Sequence, residues 1–359
     1  MQIKKLQKQD YEKYIHHSQP TIEEDDIKSV LELLNKKTIA QGELKEIFEN
    51  QLTNYIGGLH SGLTNSGRSA LFLALKTLDI QENDEVIIPT YVCSSVLKTI
   101  ELIGAKAKII DISEDYCINS HMIEKNITNK TKAVIVVHTF GISANINPII
   151  TLLKERNIYL IEDCAHSIGG QYNNKKLGSF GDMSFYSFQA TKMLTSGEGG
   201  AVVLNNKLLL DKFIKLKNQY NKLFAISDIN TSLLINQLNK LDYYINKRKI
   251  LAKKYIDELK SYKKVFLPVD DIEKSVFFRF TIRVKKLNFE KIRLCMDKRN
   301  IAVRKGVDSM LHNDFNKKYY EKAEVIFNET LSLPIYPSLD PQNIEYIVEN
   351  LKECLNNEL

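Results

Sequence analysis

The chain has 359 residues, 43% of them hydrophobic and 26% charged, with a formal net charge of +6 from 50 basic and 44 acidic side chains. That balance gives apolar residues enough for a large core and a length suited to two domains, which excludes a disordered polyelectrolyte or a small disulfide-stapled scaffold. The positive charge is mild and scattered, and no helix-turn-helix pattern, RNP-type aromatic strand or arginine-rich arm accompanies it. No nucleic-acid partner is therefore expected, and an anionic small molecule suits the charge at least as well. No run of about 18 apolar residues occurs, and the opening "MQIKKLQKQDYEKYIHH" carries charges where a signal peptide needs an apolar stretch. The expectation is a cytoplasmic protein with no membrane partner. Cys93, Cys117, Cys164, Cys295 and Cys354 show neither a CxxC pair nor metal-ligand spacing, so reduced thiols and no metal site are expected.

In chain order, residues 1–20 read as an N-terminal arm. "PTIEEDDIKSVLELL" then predicts an amphipathic helix, with Thr21 as N-cap and Glu24 completing a capping box. "TNSGRSALFLAL" predicts a turn leading into a second helix, whose apolar positions include Ala70, Leu71, Ala74 and Leu75. Strand-like runs follow at "EVIIP", "AKIIDI", "AVIVVH" and "IYLIED". Between them, "SSVLKTIELIG" has helical apolar spacing and a stop at Gly104, and "NPIITLLKERN" offers Asn147 and Pro148 as cap and first-turn pair. Strands alternating with helices in this rhythm imply a mainly parallel sheet flanked by helices, with ligands beyond the carboxyl ends of the strands. "AVVLNN" is a further strand, and 228–259 reads as one long helix linking two bodies. Beyond it "FFRFTIRV" predicts a strand, and "FEKIRLCMDKRN" and "NIEYIVENLKECL" predict helices. The expected fold class is α/β, with a large domain at 21–245 and a smaller C-terminal α+β domain at 246–359.

Three segments carry candidate chemistry. In "TNSGRSALFLAL" the first-turn N–H groups, Gly67, and the hydroxyls of Ser66 and Ser69 form a potential phosphate seat, because those amides lack helical partners and the helix dipole favours an anion. In "LIEDCAHSIGG", Asp163 ends a buried strand, where a carboxylate is costly unless it meets a cation or a strong donor. His166 follows three residues later. "SFQATKMLTSGEGG" sets Lys192 among small residues and glycines, where burial favours the neutral, nucleophilic amine. Each segment alone reads equally as ordinary structure: a capped helix, a structural acid, a lysine in a tight loop. Together they match the needs of pyridoxal phosphate, which takes a lysine for its aldehyde, a carboxylate for its pyridine nitrogen and a dipole-rich seat for its phosphate. Arg279, Arg283, Arg304 and Lys305 are candidate cations for a substrate diphosphate, or solvated surface charge, and His138 is a candidate pocket residue or strand-end packing.

At these residues the chain resembles the DegT/DnrJ/StrS family of sugar aminotransferases, of the aspartate-aminotransferase fold type. The likeness runs from "SQPTIEEDDIKSVLELL" through "IEDCAHSIGG" and "KLGSFGDMSFYSFQATKMLTSGEGGAVVLNN" to "LSLPIYPSLDPQNIEYIVENL". It implies that the large domain binds pyridoxal phosphate, that Lys192 holds the cofactor covalently, and that Asp163 pairs with the pyridinium. It further implies that His166 lies beside the ring hydroxyl, and that Ser187 binds the phosphate together with Gly67, Arg68 and Ser69. The activity implied is transfer of an amino group, typically from glutamate, to a nucleotide-linked keto-sugar in amino-sugar biosynthesis, by a homodimer. The dehydratase branch of the family carries histidine at the lysine position, so Lys192 favours transamination. A non-sugar ketone acceptor, deoxygenation, or a non-catalytic regulatory role are the alternatives. Three positions depart from the family pattern: Arg68 stands where threonine is common, Cys93 where an aromatic stacks on the ring, with Tyr91 as alternative, and Leu223 where a neighbouring subunit's asparagine is supplied, with Asn221 as stand-in.

Overall fold

The computed structural model describes residues 14–269, 271–312 and 314–358; residues 1–13 of the expected arm lie outside them. Seven strands form the central sheet: β1 (His60–Thr64), β2 (Glu85–Pro89), β3 (Lys106–Ile110), β4 (Thr131–Val137), β5 (Tyr159–Asp163), β8 (Met183–Ser187) and β9 (Gly200–Leu204). Their spatial order is β1-β9-β8-β5-β4-β2-β3. The run from β8 to β3 is parallel, and β9 is antiparallel to both its neighbours. A small hairpin, β6 (Gln171–Tyr172) with β7 (Lys175–Lys176), lies outside the sheet.

The near-continuous apolar strands are explained by two-sided burial. On β4, Ala133, Ile135 and Val137 enter a core shared with Ala70 and Ala74 of α3 (Gly67–Thr77) and Val96 and Ile100 of α4 (Ser94–Leu102). The alternate residues Val134 and Val136 enter a second core with Ile149 and Leu153 of α6 (Ile146–Glu155). A strand with helices on both faces has no polar side, which is why its sequence does not alternate. The remaining helices of this half are α1 (Glu24–Lys36), α2 (Leu44–Ile56), α5 (Ser120–Glu124) and α7 (Leu210–Gln219).

Several element boundaries differ from the sequence expectation. The capping box of α1 is Glu23 with Asp26, not Thr21 with Glu24: Asp26 Oδ2 accepts from the Glu23 N–H at 2.9 Å and is itself anchored by Gln237 and Lys240, each at 3.0 Å. Those long-range partners fix the box two residues downstream. α6 begins at Ile146, so Pro148 lies inside its first turn, where a missing N–H costs nothing. The single helix expected over 228–259 is two, α8 (Asp228–Asn239) and α9 (Leu241–Leu259), meeting at Lys240 with φ −102° and ψ 0°. Lys240 reaches Asp25 at 2.6 Å as well as Asp26, and this tie to α1 accompanies the break. Position 245, the expected domain boundary, falls within α9.

The C-terminal body pairs β10 (Phe280–Arg283) with β11 (Thr330–Leu333) in antiparallel register. α9, α10 (Phe289–Asp297) and α12 (Asn343–Glu358) surround a core that includes Phe280, Ile282, Met296, Leu333 and Leu351. α11 (Glu321–Glu329) packs its Ala323 and Ile326 into the second core of the large sheet instead.

The expectation of five reduced thiols does not hold. Cys295 of α10 and Cys354 of α12 form a disulfide, with 5.9 Å between their Cα atoms. Helix packing brings them together across 59 residues, a pairing with no local sequence signature. Cys93, Cys117 and Cys164 remain free. Reduction, or Cys354→Ser, opens this loop and is expected to cost up to about 4 kcal/mol in the chain-entropy picture. Thermal melts with and without reductant check it: wild type should melt lower when reduced, and the variant should ignore the reductant. Among the described residues no helix is long and apolar enough to cross a membrane.

Candidate active site

β8 and β9 are neighbours in the sheet, and the connection between them, 188–199, is pinned rather than loose. The Phe188 N–H donates to Gly199 O at 2.9 Å, the Ser196 N–H to Phe188 O at 3.1 Å, and the Asn230 side-chain amide to Ser196 O at 2.6 Å. Within it, the Lys192 N–H closes a turn on Gln189 O at 2.9 Å. The chain therefore presents Lys192 from a fixed loop at the carboxyl end of β8. Gly200 is obligatory for this approach: a Cβ there would lie 2.3 Å from the Ser66 carbonyl carbon.

Lys192 enters a cavity of about 260 Å³, near the lower end of the size range of small-molecule sites. Asp163, His166 and Ser187 line it from the ends of β5 and β8, and Ser66, Gly67 and Arg68 line it from the start of α3. The sequence-predicted residues thus converge on one recess from four separate segments. Ser69 is the exception. It lines an adjacent cleft of about 890 Å³, shared with Ser66, Arg68 and Glu198, and its hydroxyl is tied to Asn65 Oδ1 at 2.6 Å. Ser66 caps α3 by accepting from the Ser69 N–H at 3.2 Å, and the Gly67 and Arg68 amides at the helix start have no intrahelical partner.

Burial sets the electrostatics. Asp163 is 5% exposed, and desolvation pushes its carboxyl up to about 6, against the opposing pull of the Ala165 N–H, which it accepts at 3.0 Å, and of the Lys192 charge. Desolvation likewise lowers Lys192 to about 8 from 10.5, with Asp163 acting in the opposite direction. His166 is held well below its usual value by burial first and by Lys192 and Arg279 next, so it is a neutral imidazole. Its Nδ1 is buried without a partner. Its ring stacks on Phe278 at 4.2 Å between centroids, and Lys192 Nζ lies 5.1 Å from that same Phe278 ring. Phe278 is a site residue that sequence reasoning missed, since an apolar aromatic in a strand-like run gives no chemical signal.

These features fit pyridoxal phosphate. An amine with a depressed pKa faces a carboxylate, a neutral imidazole has a nitrogen awaiting a partner, and a helix N-terminus with adjacent hydroxyls matches the phosphate. The depressed amine gives a pH test with a definite sign. Raising pH frees the lysine, so capture of an aldehyde by cofactor-free protein should accelerate with pH and level off above about 8, the Lys192 value. An ordinary lysine would still be accelerating past pH 10. Stopped-flow absorbance across this range checks it.

Tyr91 and Cys93, the two candidates for the ring-facing position, both line the cavity. Tyr91 is fully buried and packs on Tyr116 and Phe140 at 5.7 and 6.0 Å, whereas Cys93 is exposed within the cavity and its Sγ accepts from Ser95 Oγ at 3.2 Å. Asn221 is engaged within its own chain, its Oδ1 accepting from Gln41 at 3.2 Å and from Lys45. None of the four candidate diphosphate cations lines the cavity. Arg283 is held by Glu329 at 2.8 Å and by Glu114, Lys305 lies over the Phe327 ring, Arg279 donates to the carbonyls of Lys305 and Gly306, and Arg304 is exposed. His138 also lies outside. It is fully buried and bonded to Glu162 at 3.1 Å, while Glu162 accepts from the N–H groups of Gly178, Phe180 and Gly181, each at 2.7 Å. His138, Glu162 and Cys164 lie close together, and Glu162, already satisfied by those amides and His138, braces the turn at 178–181.

Comparison with known proteins places these observations in a family. The chain is 30% identical to GDP-perosamine synthase of Escherichia coli O157:H7, over 95% of this chain and 98% of that protein. It is 29% identical to a UDP-4-amino-4,6-dideoxy-N-acetyl-beta-L-altrosamine transaminase of Campylobacter jejuni, over 95% and 97% of the two chains. The fold matches Helicobacter pylori PseC, an aminotransferase of pseudaminic acid biosynthesis, with a TM-score of 0.88 at 24% identity, covering 96% of this chain and all of that one. The model of the DegT/DnrJ/EryC1/StrS aminotransferase family matches residues 20–352. With a lysine, a buried carboxylate and a phosphate seat converging on one recess, the chain belongs to this family and is a pyridoxal phosphate-dependent sugar aminotransferase.

Proposed function

We propose that this enzyme moves an amino group from glutamate to a keto-sugar carried on a nucleoside diphosphate, acting as a cytoplasmic homodimer. The observation that carries the reading is the convergence of Lys192 and Asp163 in a single recess, each shifting the other's ionisation. Bound pyridoxal phosphate supplies an electron-accepting ring and the carbonyl on which the amino group is held between donor and acceptor. Lys192 is assigned the covalent attachment and, once displaced by the donor amine, the proton transfers at the reacting carbon; an amine with a value near 8 is poised to take and return a proton at neutral pH. Asp163 is assigned to the ring nitrogen, where its negative charge favours the protonated form. His166, neutral and with Nδ1 unpartnered, is assigned to the ring hydroxyl. Gly67, Arg68 and Ser187 hold the phosphate, and Ser69 acts one step removed by fixing Ser66 and Asn65.

The relatives carry different nucleotides, GDP in one name and UDP in another, so the nucleotide is the least determined part of the substrate. The dimer is supported by the surface beside the phosphate seat: the adjacent cleft is walled by Leu102 and Leu223, 74% and 66% exposed, with the half-buried Phe72 and Phe224. Apolar side chains concentrated beside a catalytic recess fit a partner subunit better than solvent. The test is purified enzyme incubated with glutamate and a panel of nucleotide keto-sugars, with products identified by mass and NMR and particle mass by light scattering. An amino sugar formed with loss of glutamate is expected. Amination confined to non-sugar ketones, or loss of oxygen without gain of nitrogen, would replace this reading.

A further inference from the structure

The cavity wall is built from both bodies of the chain. Tyr91, Val92, Cys93, Ser95 and Val96 contribute from the segment that leaves β2, and beyond β9 only Val307 among the described residues joins them. Tyr91, Val92 and Cys93 lie in the loop before α4, Ser95 and Val96 in its first turn, and Val307 in neither helix nor strand, so a side-chain tie is needed to hold the two sides in register. A relay of three side chains immediately behind the wall does this. Thr90 is fully buried at the end of β2, and its Oγ1 lies 2.6 Å from His312 Nδ1; the other ring nitrogen, Nε2, lies 2.9 Å from Glu324 Oε1 on α11. The carboxylate can only accept, so Nε2 carries a proton; in the neutral ring Nδ1 then accepts and the Thr90 hydroxyl donates. The backbone doubles the joint: the Leu311 N–H donates to Thr90 O at 3.0 Å, and the His312 N–H reaches Thr90 Oγ1 at 3.4 Å. The imidazole cannot swing away, because it stacks on Tyr320 at 4.2 Å with an interplanar angle of 8°.

We propose that His312 is a positioning residue for the sugar acceptor: by gripping Thr90 it keeps the 91–96 wall aligned with Val307 at the mouth of the cavity. Thr90 precedes the first wall residue and Val307 lies five residues before His312, so the relay joins the two sides of the mouth at their roots. Both substrates react at the same depth, beside Lys192. A nucleotide sugar is far larger than glutamate and must meet more of this wall, so its binding depends more on the wall's alignment. This inference rests on the proposed transamination, and its test separates the two.

Thr90→Val removes the hydroxyl at nearly constant shape, His312→Gln removes Nδ1 while keeping a donor toward Glu324, and Thr90→Ser restores the hydroxyl. In hydrogen exchange on the purified protein, the 90–97 peptide of the first two variants should exchange about tenfold faster, the effect of losing one hydrogen bond, while β4 is unchanged. In half-reaction kinetics the acceptor KM should rise about tenfold with the glutamate step within twofold of wild type, and Thr90→Ser should restore both values. Unchanged exchange at 90–97 in Thr90→Val, equal acceleration in β4, or equal losses in the donor and acceptor steps would each overturn the proposal. If His312→Gln does not fold, Thr90→Val decides alone. Absence of any glutamate step in wild type would instead remove the transamination reading, and the exchange data would still decide the grip of His312 on Thr90.

Discussion

Lys192→Ala is expected to abolish the visible absorbance of the lysine-bound cofactor and lower turnover by at least about a thousandfold, because the side chain that attaches the cofactor is also the one that moves the proton. The two roles separate experimentally. Added small amines would return part of the proton-transfer rate, since a diffusing base can enter the space that alanine leaves, but would not restore covalent attachment. Turnover close to wild type in Lys192→Ala would show that another group does this work. The proposed phosphate contacts Ser187 and Gly67 are untouched by this change, so the variant should still bind cofactor, now released by dialysis or captured as an adduct with substrate amine. Retention of cofactor with loss of turnover distinguishes a chemical defect from a folding defect.

Asp163→Ala is expected to be the second most damaging change, about a hundredfold or more in turnover. Asp163 is 5% exposed and sits where a charge is expensive; burial raises its carboxyl to about 6. The sign follows directly. Above pH 6 the group is ionised and can hold a proton on the ring nitrogen; below pH 6 it progressively loses that charge. A cationic ring nitrogen would pull the carboxyl lower still, so activity of the loaded enzyme should persist below pH 6 more than the cofactor-free value suggests. Asp163→Asn keeps the shape and the bond from the Ala165 N–H but removes the charge, and should fall nearly as far as alanine. Rates near normal in Asp163→Asn would mean that hydrogen bonding, not charge, is what the position supplies.

The site was legible in the sequence where chemistry and local pattern coincide. Lys192 among glycines, Asp163 at a strand end and Gly67 at a helix start each read alone as ordinary structure and pointed to a ligand only together, and the parallel sheet followed from strands and helices in alternation. What escaped was set by partners distant along the chain. Asp26 rather than Glu24 completes the α1 capping box because Gln237 and Lys240 anchor it. Lys240 ends α8 for a related reason, its tie to Asp25 and Asp26, which no helical periodicity records. The Cys295–Cys354 pair depends on how α10 meets α12. Phe278 looked like an ordinary strand residue and Thr90 like the residue after one, and their importance lies in what they touch: His166 in one case, His312 in the other. The cations Arg279, Arg283, Arg304 and Lys305 are the converse: their charge suggested substrate, yet none lines the cavity, with Arg283 paired to Glu114 and Glu329 and Arg279 bonded to backbone carbonyls.

The most direct measurement is borohydride reduction of the holoenzyme followed by peptide mass mapping, which fixes any covalent cofactor where it is attached. A single pyridoxyl label is expected on the peptide containing Lys192, lost in Lys192→Ala. A label on any other lysine, or none on protein that still turns over, would contradict it.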